Sequence, residues 1–260
     1  MKLNSLLKSA DKNLAASIRH RINNSEKGKL YETESYMIYT IGVDNKDGHI
    51  NGVLCFDQCG EDVIRKADEF FKPINRDYVF WIRDHGDNKL ERILKDKGYK
   101  AKREPGSAGM IIKEKINAVS IPKGFEIKRV TNSKEVKDFA LVTKKSFEKP
   151  DIVTEAMFSS DDILISPNTR AFVIYEDNRP VSAVTMTLSQ EVAGIYWVGT
   201  IEEARGKGLG SYITQVSTNK AFDLGTKAVV LQASEAGERV YKKLGYETIT
   251  RYRWYPIETL

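Results

Sequence analysis

The order of strand and helix signals in the second half of the chain restricts its fold more than any other feature. Apolar and polar residues alternate over Arg170–Tyr175 and Val181–Leu188, on either side of a turn at Glu176–Pro180. A third strand pattern, Val192–Thr200, follows closely and predicts an antiparallel meander. The later signals alternate: a helix at about Gly208–Leu224, a strand at Ala228–Gln232, a helix at Glu235–Leu244 and a strand at Tyr246–Tyr255. This order predicts an α/β layout with crossover helices packed on a sheet.

The first half of the chain repeats this order of signals. After a helix at about Leu3–Arg21 come strands at Ser35–Ile41 and Ile50–Phe56, a helix near Glu61–Phe71, a strand at Tyr78–Arg83, a helix at Asn88–Lys97 and a strand near Gly109–Lys113. The segments Leu90–Tyr99 and Glu238–Tyr246 also end alike, each with an amphipathic helix stopped by Gly and followed by Tyr. These similarities favour a duplication, with domains at 1–116 and 125–260 and a linker at 117–124.

Composition excludes several classes of protein. The 260 residues include 41 basic and 36 acidic ones, a net charge of +5 without a long run of like charges, so no nucleic-acid-binding tail is expected. No stretch has the length of a membrane span or the pattern of a secretory signal. The two cysteines, Cys55 and Cys59, fit neither a disulfide framework nor a four-ligand zinc site. We therefore expect a cytoplasmic protein without metal, nucleic-acid or membrane partners.

The segment Val198–Ser211 carries the strongest chemical signal in the sequence. A buried strand leads into a loop with alternating glycines, Gly206, Gly208 and Gly210, and then into a helix. Glycines allow the backbone to approach a ligand closely, and N–H groups at a helix start favour an anion. Arg205 and Lys207 add positive charge beside them. The segment therefore predicts pyrophosphate binding, although the P-loop and dinucleotide spacings are absent.

The motif Arg205-x-x-Gly208-x-Gly210 matches the Arg/Gln-x-x-Gly-x-Gly/Ala signature of the GNAT superfamily of N-acetyltransferases. About thirty residues later, Tyr241–Tyr246 resembles the Tyr-x-x-x-Gly-Phe ending of that family. The resemblance covers about 135 residues. It implies an α/β (α+β) fold of two tandem GNAT-like domains, each a mixed, mostly antiparallel sheet flanked by helices.

The resemblance also implies roles for individual residues. Acetyl-CoA, the acyl donor, would lie along the backbone of Val198, Gly199 and Thr200, which would hold the thioester carbonyl and the pantetheine arm. The pyrophosphate would be wrapped by seven consecutive residues: Arg205, Gly206, Lys207, Gly208, Leu209, Gly210 and Ser211. Ser234 stands where many members have an Asn that contacts the pantetheine arm.

Acyl transfer needs an acid for the departing thiolate and a deprotonated amine. By resemblance Tyr241 is the candidate acid, with a packing aromatic as the alternative. The general base stays unassigned, because the central strand carries no carboxylate where members often have Glu. Glu155 could reach the acceptor cleft from a loop, but a surface position is favoured.

Acceptor specificity in this family lies in the helical region and variable loops, here about 145–168. A strand is predicted at Phe125–Val130 and a helix at Ser133–Phe147, with Ser133 as a possible N-cap. Among the later residues Phe147, Met157 and Phe158 could line an apolar acceptor site, although ordinary core positions are favoured.

The first half has Asp57-Gln58-Cys59-Gly60 where the pyrophosphate loop should lie, with no cation. We therefore predict a degenerate first copy without acetyl-CoA and a competent second copy. The leading interpretation is an acetyl-CoA-dependent N-acetyltransferase acting by direct attack of a primary amine on a small molecule or peptide. The alternatives are a non-catalytic module that senses coenzyme A or binds protein, and the Fem-type or N-myristoyl transferases, against which the loop counts. The oligomeric state cannot be predicted.

Overall fold

A computed structural model describes residues 3–117 and 120–259. The helices are α1 (Leu3–Asn23), α2 (Glu61–Phe71), α3 (Asn88–Asp96), α4 (Ser133–Phe147), α5 (Asp151–Met157), α6 (Leu209–Asp223) and α7 (Glu235–Lys243). The strands are β1 (Lys29–Glu32), β2 (Tyr36–Thr40), β3 (Asn51–Cys55), β4 (Tyr78–Arg83), β5 (Ser107–Ile112), β6 (Phe125–Arg129), β7 (Thr169–Glu176), β8 (Arg179–Ser189), β9 (Val192–Thr200), β10 (Ala228–Ala233) and β11 (Glu247–Ile257).

The chain forms two compact units, and the C-terminal residues belong to the first. Unit 1 contains the residues up to Gly109 together with those from Thr248, and unit 2 contains Met110–Glu247. β5 crosses the boundary between Gly109 and Met110. The assignment of 1–116 and 125–260 as two copies of one domain stays a prediction.

Unit 1 is a sheet whose strands lie in the order β1-β2-β3-β4-β11. β2 and β3 are antiparallel, β3 and β4 are parallel, and β11 is antiparallel to β4. The apolar core packs α2 and α3 against these strands, with Phe71 and Tyr78 stacked at 4.4 Å between ring centroids. Burial of such a continuous apolar layer is the main driving force for the unit.

Buried charges tie α1 and β11 to the sheet of unit 1. Arg83 of β4 donates to both carboxylate oxygens of Asp87 and to Oδ2 of Asp11 at 2.7–2.8 Å. Asp11, on α1, also accepts from the hydroxyl of Tyr252 at 2.8 Å and is hydrogen-bonded to His85 Nε2 at 2.9 Å. Each buried charge therefore has an opposite charge or a hydrogen-bond partner, as low-dielectric burial requires.

Unit 2 is a sheet in the order β10-β9-β8-β7-β6. The strands β6 to β9 are antiparallel, which confirms the predicted meander, and β9 and β10 are parallel. The elements β8, β9, α6, β10 and α7 follow one another in the same order as β2, β3, α2, β4 and α3 of unit 1. In both series the first two strands are antiparallel and the third strand is parallel to the second. α6 is the crossover helix that follows the glycine loop.

Two local predictions were wrong. The N-cap of α4 is Asn132, whose side chain accepts from Glu135 N, rather than Ser133. The segment that contains Glu155 is the short helix α5 and not a loop. Within residues 3–117 and 120–259, no helix is long and apolar enough to cross a membrane.

Candidate active site

Strand β9 contains a β-bulge at the predicted thioester position. Tyr196 pairs with Thr185 and Gly199 with Ala183, so Trp197 and Val198 together lie opposite Val184. Trp197 has φ 54°, in the left-handed region that a bulky residue adopts only when its surroundings impose it. A bulge re-aims the backbone groups beside it. The Val198 backbone therefore lies in a reshaped stretch of the strand, where N–H groups can be directed away from the regular ladder.

The parallel strands β9 and β10 pair over only part of their length. Their paired residues are Val192–Ile195 and Ala228–Leu231, whereas β9 continues to Thr200 and β10 to Ala233. Past the last pair, the β9 backbone presents a strand edge in the direction of the glycine loop. An extended ligand with amide groups can hydrogen-bond to such an edge as an added strand would.

The loop after β9 is fixed at its start and exposed at its glycines. Ile201, which precedes a 3₁₀ turn, and Ala204, the last residue of that turn, are buried, whereas the four residues Arg205–Gly208 are exposed. Gly206 and Gly208 both have φ 77°, which a residue with a Cβ adopts at a cost. These glycines therefore set the path of the backbone into α6.

The N-terminus of α6 offers unpaired N–H groups without a competing carboxylate. Gly208 occupies the N-cap position and has no side chain with which to cap the helix. The first turn, Leu209-Gly210-Ser211, contains no acidic residue, and the first helical bond runs from Tyr212 N to Gly208 O at 3.0 Å. The positive end of the helix dipole therefore faces the exposed loop, an arrangement that favours an anion.

The two loop cations are held differently. Arg205 donates from Nε to Thr200 O at 3.2 Å and from Nη2 to Ser146 O at 3.5 Å, so its hydrogen bonds go to main-chain carbonyls and its charge stays available. Lys207 Nζ is 2.7 Å from Glu176 Oε1 and 5.3 Å from the centroid of the Phe125 ring. The hydrogen bond from Lys207, with one from Arg179, lowers the pKa of Glu176. An anion at the loop would therefore be met first by Arg205, since Lys207 must leave Glu176.

Gly199 brings β9 against the C-terminal end of α4. A Cβ at Gly199 would lie 2.8 Å from Ser146 Cβ and 3.0 Å from Phe147 Cε2, so the close approach depends on the missing side chain. The Phe147 ring packs edge-on against Trp197 at 5.5 Å between centroids, and Phe147 is 38% exposed. The bulge therefore has an aromatic pair at its surface.

Tyr241 lies on α7 and is largely buried. It is 9% exposed, and burial raises its pKa to about 12. Thr214 Oγ1 donates to Gly210 O at 2.7 Å. The role of Tyr241 as the acid stays a prediction.

Ser234 is the N-cap of α7. Its Oγ accepts from Gly237 N at 3.2 Å, and the residue is exposed. A Cβ at Gly237 would lie 3.1 Å from Tyr241 Cε2 and 3.3 Å from Ser234 Oγ, so these two candidate residues flank the same glycine. The contact of Ser234 with a pantetheine arm stays a prediction.

The remaining candidates from the sequence lie outside this arrangement. Glu155 is exposed on α5, Met157 is 1% exposed, and the Phe158 ring packs against Phe139 at 5.5 Å. Of the three apolar acceptor candidates, only Phe147 therefore combines exposure with a contact to β9. No group of three or more His, Cys, Asp or Glu side chains that could hold a metal ion occurs in the described part of the chain.

In unit 1 the helix start that corresponds to that of α6 carries acidic residues. α2 begins Glu61-Asp62, and Gly60 N donates to Asp62 Oδ1 at 3.2 Å, so a carboxylate of the chain itself occupies the helix start. The guanidinium of Arg83, at the end of β4, reaches Asp57 O in the preceding loop at 3.4 Å. The positions predicted to receive an anion in unit 2 correspond to positions that are filled by side chains in unit 1.

Comparison with known proteins agrees with this geometry. Residues 138–246 match the model of the acetyltransferase (GNAT) family, so this segment is a GNAT domain, as the sequence motifs indicated. It contains the bulge of β9, the glycine loop, α6 and α7. No curated protein matches the chain in sequence.

Solved structures show the same fold at low sequence identity. A GCN5-related N-acetyltransferase from Kribbella flavida has 16% identity and a TM-score of 0.71, with 95% of each chain covered. Another from Sphaerobacter thermophilus has 15% identity and a TM-score of 0.64, over 88% of this chain and 82% of that one. A tandem GNAT protein from the clavulanic acid biosynthesis pathway has 12% identity and a TM-score of 0.62, over 91% and 85%. The predicted GNAT-like fold is therefore confirmed.

Proposed function

We propose that unit 2 transfers the acetyl group of acetyl-CoA to a primary amine. The observation that carries this proposal is the bulged end of β9, beyond its pairing with β10, leading into a helix N-terminus that has a glycine cap, a nearby arginine and no acidic residue. A ligand with an amide-containing arm and a pyrophosphate matches both parts at once. The GNAT domain at 138–246 supports acetyl transfer as the reaction.

The proposed roles are those that the family resemblance implies for these residues. The β9 backbone from Val198 to Thr200 binds the pantetheine arm, and the N–H of Val198 stabilises the oxyanion that forms when the amine attacks the thioester carbonyl. The backbone of Arg205–Ser211 and the guanidinium of Arg205 bind the pyrophosphate. Tyr241 gives a proton to the departing thiolate, and Ser234 lies beside it at the start of α7. The acetyl-CoA is a substrate, and no metal takes part in these steps.

Unit 1 is proposed as a degenerate copy that does not bind acetyl-CoA. Asp62 already occupies the start of α2, and its negative charge would repel a pyrophosphate. The Arg83 network fills the end of β4 with bonds that a ligand would have to break. A single acetyl-CoA per chain is therefore expected. We also propose a cytoplasmic location and an acceptor that is a small molecule or a peptide.

Calorimetric titration of acetyl-CoA tests the proposal directly. The wild type should bind one equivalent, and Arg205→Glu should weaken binding at least about tenfold, because one favourable charge becomes a repulsive one. Arg92→Glu, which makes the same charge change at an exposed position on α3, is the control and should bind as the wild type does. Absence of wild-type binding, or equal loss in both variants, would contradict the proposed site.

A non-catalytic coenzyme A sensor is the second candidate function. It is favoured by one observation: β9 carries no carboxylate that could serve as a general base, and Glu155 is exposed on α5. A thiol-release assay across a library of primary amines separates the two functions. Release of coenzyme A that depends on an amine supports the enzyme, whereas tight binding without turnover on any amine supports the sensor.

A further inference from the structure

We propose that two copies of this chain associate through strand β6, paired antiparallel about a two-fold axis at Ile127. The strand lies at the end of the sheet order β10-β9-β8-β7-β6 of unit 2. In the described part of the chain, β7 is the one strand that pairs with it. The other edge of β6 can therefore accept a further strand, as unpaired sheet edges do. This association is independent of the acetyl-transfer reaction.

The hydrogen-bonding phase of β6 determines which of its residues face outward. Its register with β7 runs without a bulge, and directly after the strand Val130 N donates to Ala171 O at 2.9 Å. In an antiparallel ladder the N–H and C=O of one residue point to the same side, and that side alternates from residue to residue. The residues whose main-chain groups face away from β7 are therefore Phe125, Ile127 and Arg129.

Pairing about Ile127 uses these outward-facing groups. Ile127 lies opposite Ile127 of the second copy, and Phe125 lies opposite Arg129 of the second copy, both in hydrogen-bonded positions. Each Ile127 N–H then donates to the other Ile127 carbonyl, and each Arg129 N–H donates to a Phe125 carbonyl. The N–H of Phe125 is not needed, since it donates to Pro122 O at 3.4 Å. The main chain thus supplies a symmetric set of hydrogen bonds, and the sheet of unit 2 continues into the second copy.

The charged side chains of β6 are complementary to themselves in this register. Glu126 lies opposite Lys128 of the second copy on both sides of the axis, in the non-hydrogen-bonded positions where cross-strand side chains are closest. Within one chain Lys128 Nζ is 3.0 Å from Glu126 Oε2, and the two side chains are 41% and 66% exposed. Charges of opposite sign therefore alternate around the axis, and both side chains are accessible to a partner.

The same charges disfavour the neighbouring registers. An axis at Glu126 would place the two Glu126 side chains opposite each other, and an axis at Lys128 would do the same to two lysines. Like charges directly opposite on one face destabilise a strand pair. An axis between two residues would set outward-facing main-chain groups against inward-facing ones and lose the hydrogen bonds. Charge and hydrogen-bonding phase therefore both select the axis at Ile127.

The test measures the state of association by sedimentation velocity over a concentration series up to about 200 µM. The wild type should form a dimer. Lys128→Glu and Glu126→Lys each place like charges opposite one another, and each should weaken dimerisation at least about tenfold. Lys243→Glu makes the same charge change at an exposed position on α7, which packs on β10 at the other end of the sheet order, and should leave the dimer intact.

Combining the two substitutions separates charge matching from damage to the fold. An equimolar mixture of the Glu126→Lys and Lys128→Glu variants restores opposite charges across the axis. It should form a heterodimer at least about tenfold more tightly than either variant dimerises alone. The double variant Glu126→Lys/Lys128→Glu exchanges the two charges and should dimerise as the wild type does.

Three outcomes would overturn the β6 interface. The first is a wild type that stays monomeric throughout the concentration series. The second is a dimer that Lys128→Glu leaves intact or that Lys243→Glu weakens equally, since either result places the contact elsewhere on the chain. The third is a mixture of the two single variants that associates no more tightly than each variant alone, which would show that the charges of Glu126 and Lys128 do not face each other.

Discussion

Gly208 and Gly210, at the start of α6, should affect the free energy of unfolding in opposite directions when each is replaced by alanine. Gly208 has φ 77°, and a Cβ built on it would have no atom within 4 Å. Gly210 lies in the first turn of the helix, and its Cβ would meet Thr200 Oγ1 at 4.0 Å, an ordinary van der Waals contact. Neither alanine clashes, so any difference between them comes from the backbone.

The expected free-energy change at each glycine follows from its backbone conformation. An alanine held in the left-handed region costs about 1–2 kcal/mol, and open space around Gly208 cannot relieve that cost. If the loop keeps its path, Gly208→Ala lowers the free energy of unfolding by this amount. If the loop relaxes instead, the same cost is met when acetyl-CoA binds, which weakens affinity by about 5- to 30-fold. At Gly210 an alanine in helix should stabilise by about 0.5–1 kcal/mol.

Thermal unfolding and calorimetric titration of both variants distinguish these effects. Since about 1 kcal/mol changes the Tm of a domain of this size by about 2–4 °C, Gly208→Ala should show a lower Tm, a weaker Kd for acetyl-CoA, or both. Gly210→Ala should have an equal or higher Tm and keep its affinity, as the GNAT signature accepts alanine there. The two alanines add the same side chain two residues apart, so each controls for the other.

Two outcomes would refute this reasoning. A Gly208→Ala variant with the Tm and Kd of the wild type would show that its left-handed conformation is not required. A Gly210→Ala variant that loses affinity as strongly as Gly208→Ala would show that space near the loop, rather than backbone conformation, decides binding.

Two further predictions concern the buried charges of unit 1. Arg83→Met leaves Asp11 and Asp87 buried without their cation and should lower the free energy of unfolding by about 3–5 kcal/mol in urea titration. Arg65→Met, at an exposed ion pair, is the control and should change the free energy of unfolding by less than about 1 kcal/mol. Equal effects of the two substitutions would contradict the stabilising role of the buried Arg83 network. Burial opposes ionisation of Glu91, but hydrogen bonds from Arg253, Tyr255 and Lys95 outweigh it and lower its pKa to about 2. This carboxylate therefore contributes stability above about pH 4.5 that is lost as the pH falls towards 2, so the deficit of Glu91→Gln relative to the wild type should shrink over that range in pH-dependent urea unfolding; a deficit independent of pH would exclude the ion pair as its cause.

Much of the fold could be predicted because its signals are local. The meander and the helix stopped by Gly98 depend on alternation and on a glycine, here at φ 87°, and both are present. The strand β1 gave no such signal, because Lys29–Glu32 is mostly exposed and is ordered by pairing with β2. The helix α5 was missed for a similar reason, since Ile152, Val153 and Thr154 are β-branched and disfavour a short helix.

Contacts between distant segments could not be predicted in this way. β11 follows α7 directly in the sequence, yet it pairs with β4, from Tyr252 opposite Arg83 to Ile257 opposite Tyr78. In the site, the glycine motif identified the loop, but the Trp197 bulge and the close approach of Gly199 to Ser146 depend on segments far apart in sequence. A glycine within a strand was the one available signal for the close approach at Gly199.

α2 and α6 differ in the charge at the helix start rather than in the order of the elements around them. Both helices follow a strand that pairs antiparallel on one side and parallel on the other, and both have glycine at the N-cap. In α2 the next residues are Glu61 and Asp62, and the Asp62 carboxylate accepts the N–H that a phosphate would need. In α6 they are Leu209 and Gly210, which leave the helix dipole uncompensated. The proposed difference in anion binding therefore depends on a few residues at one helix start and needs no change in the strand senses of the unit.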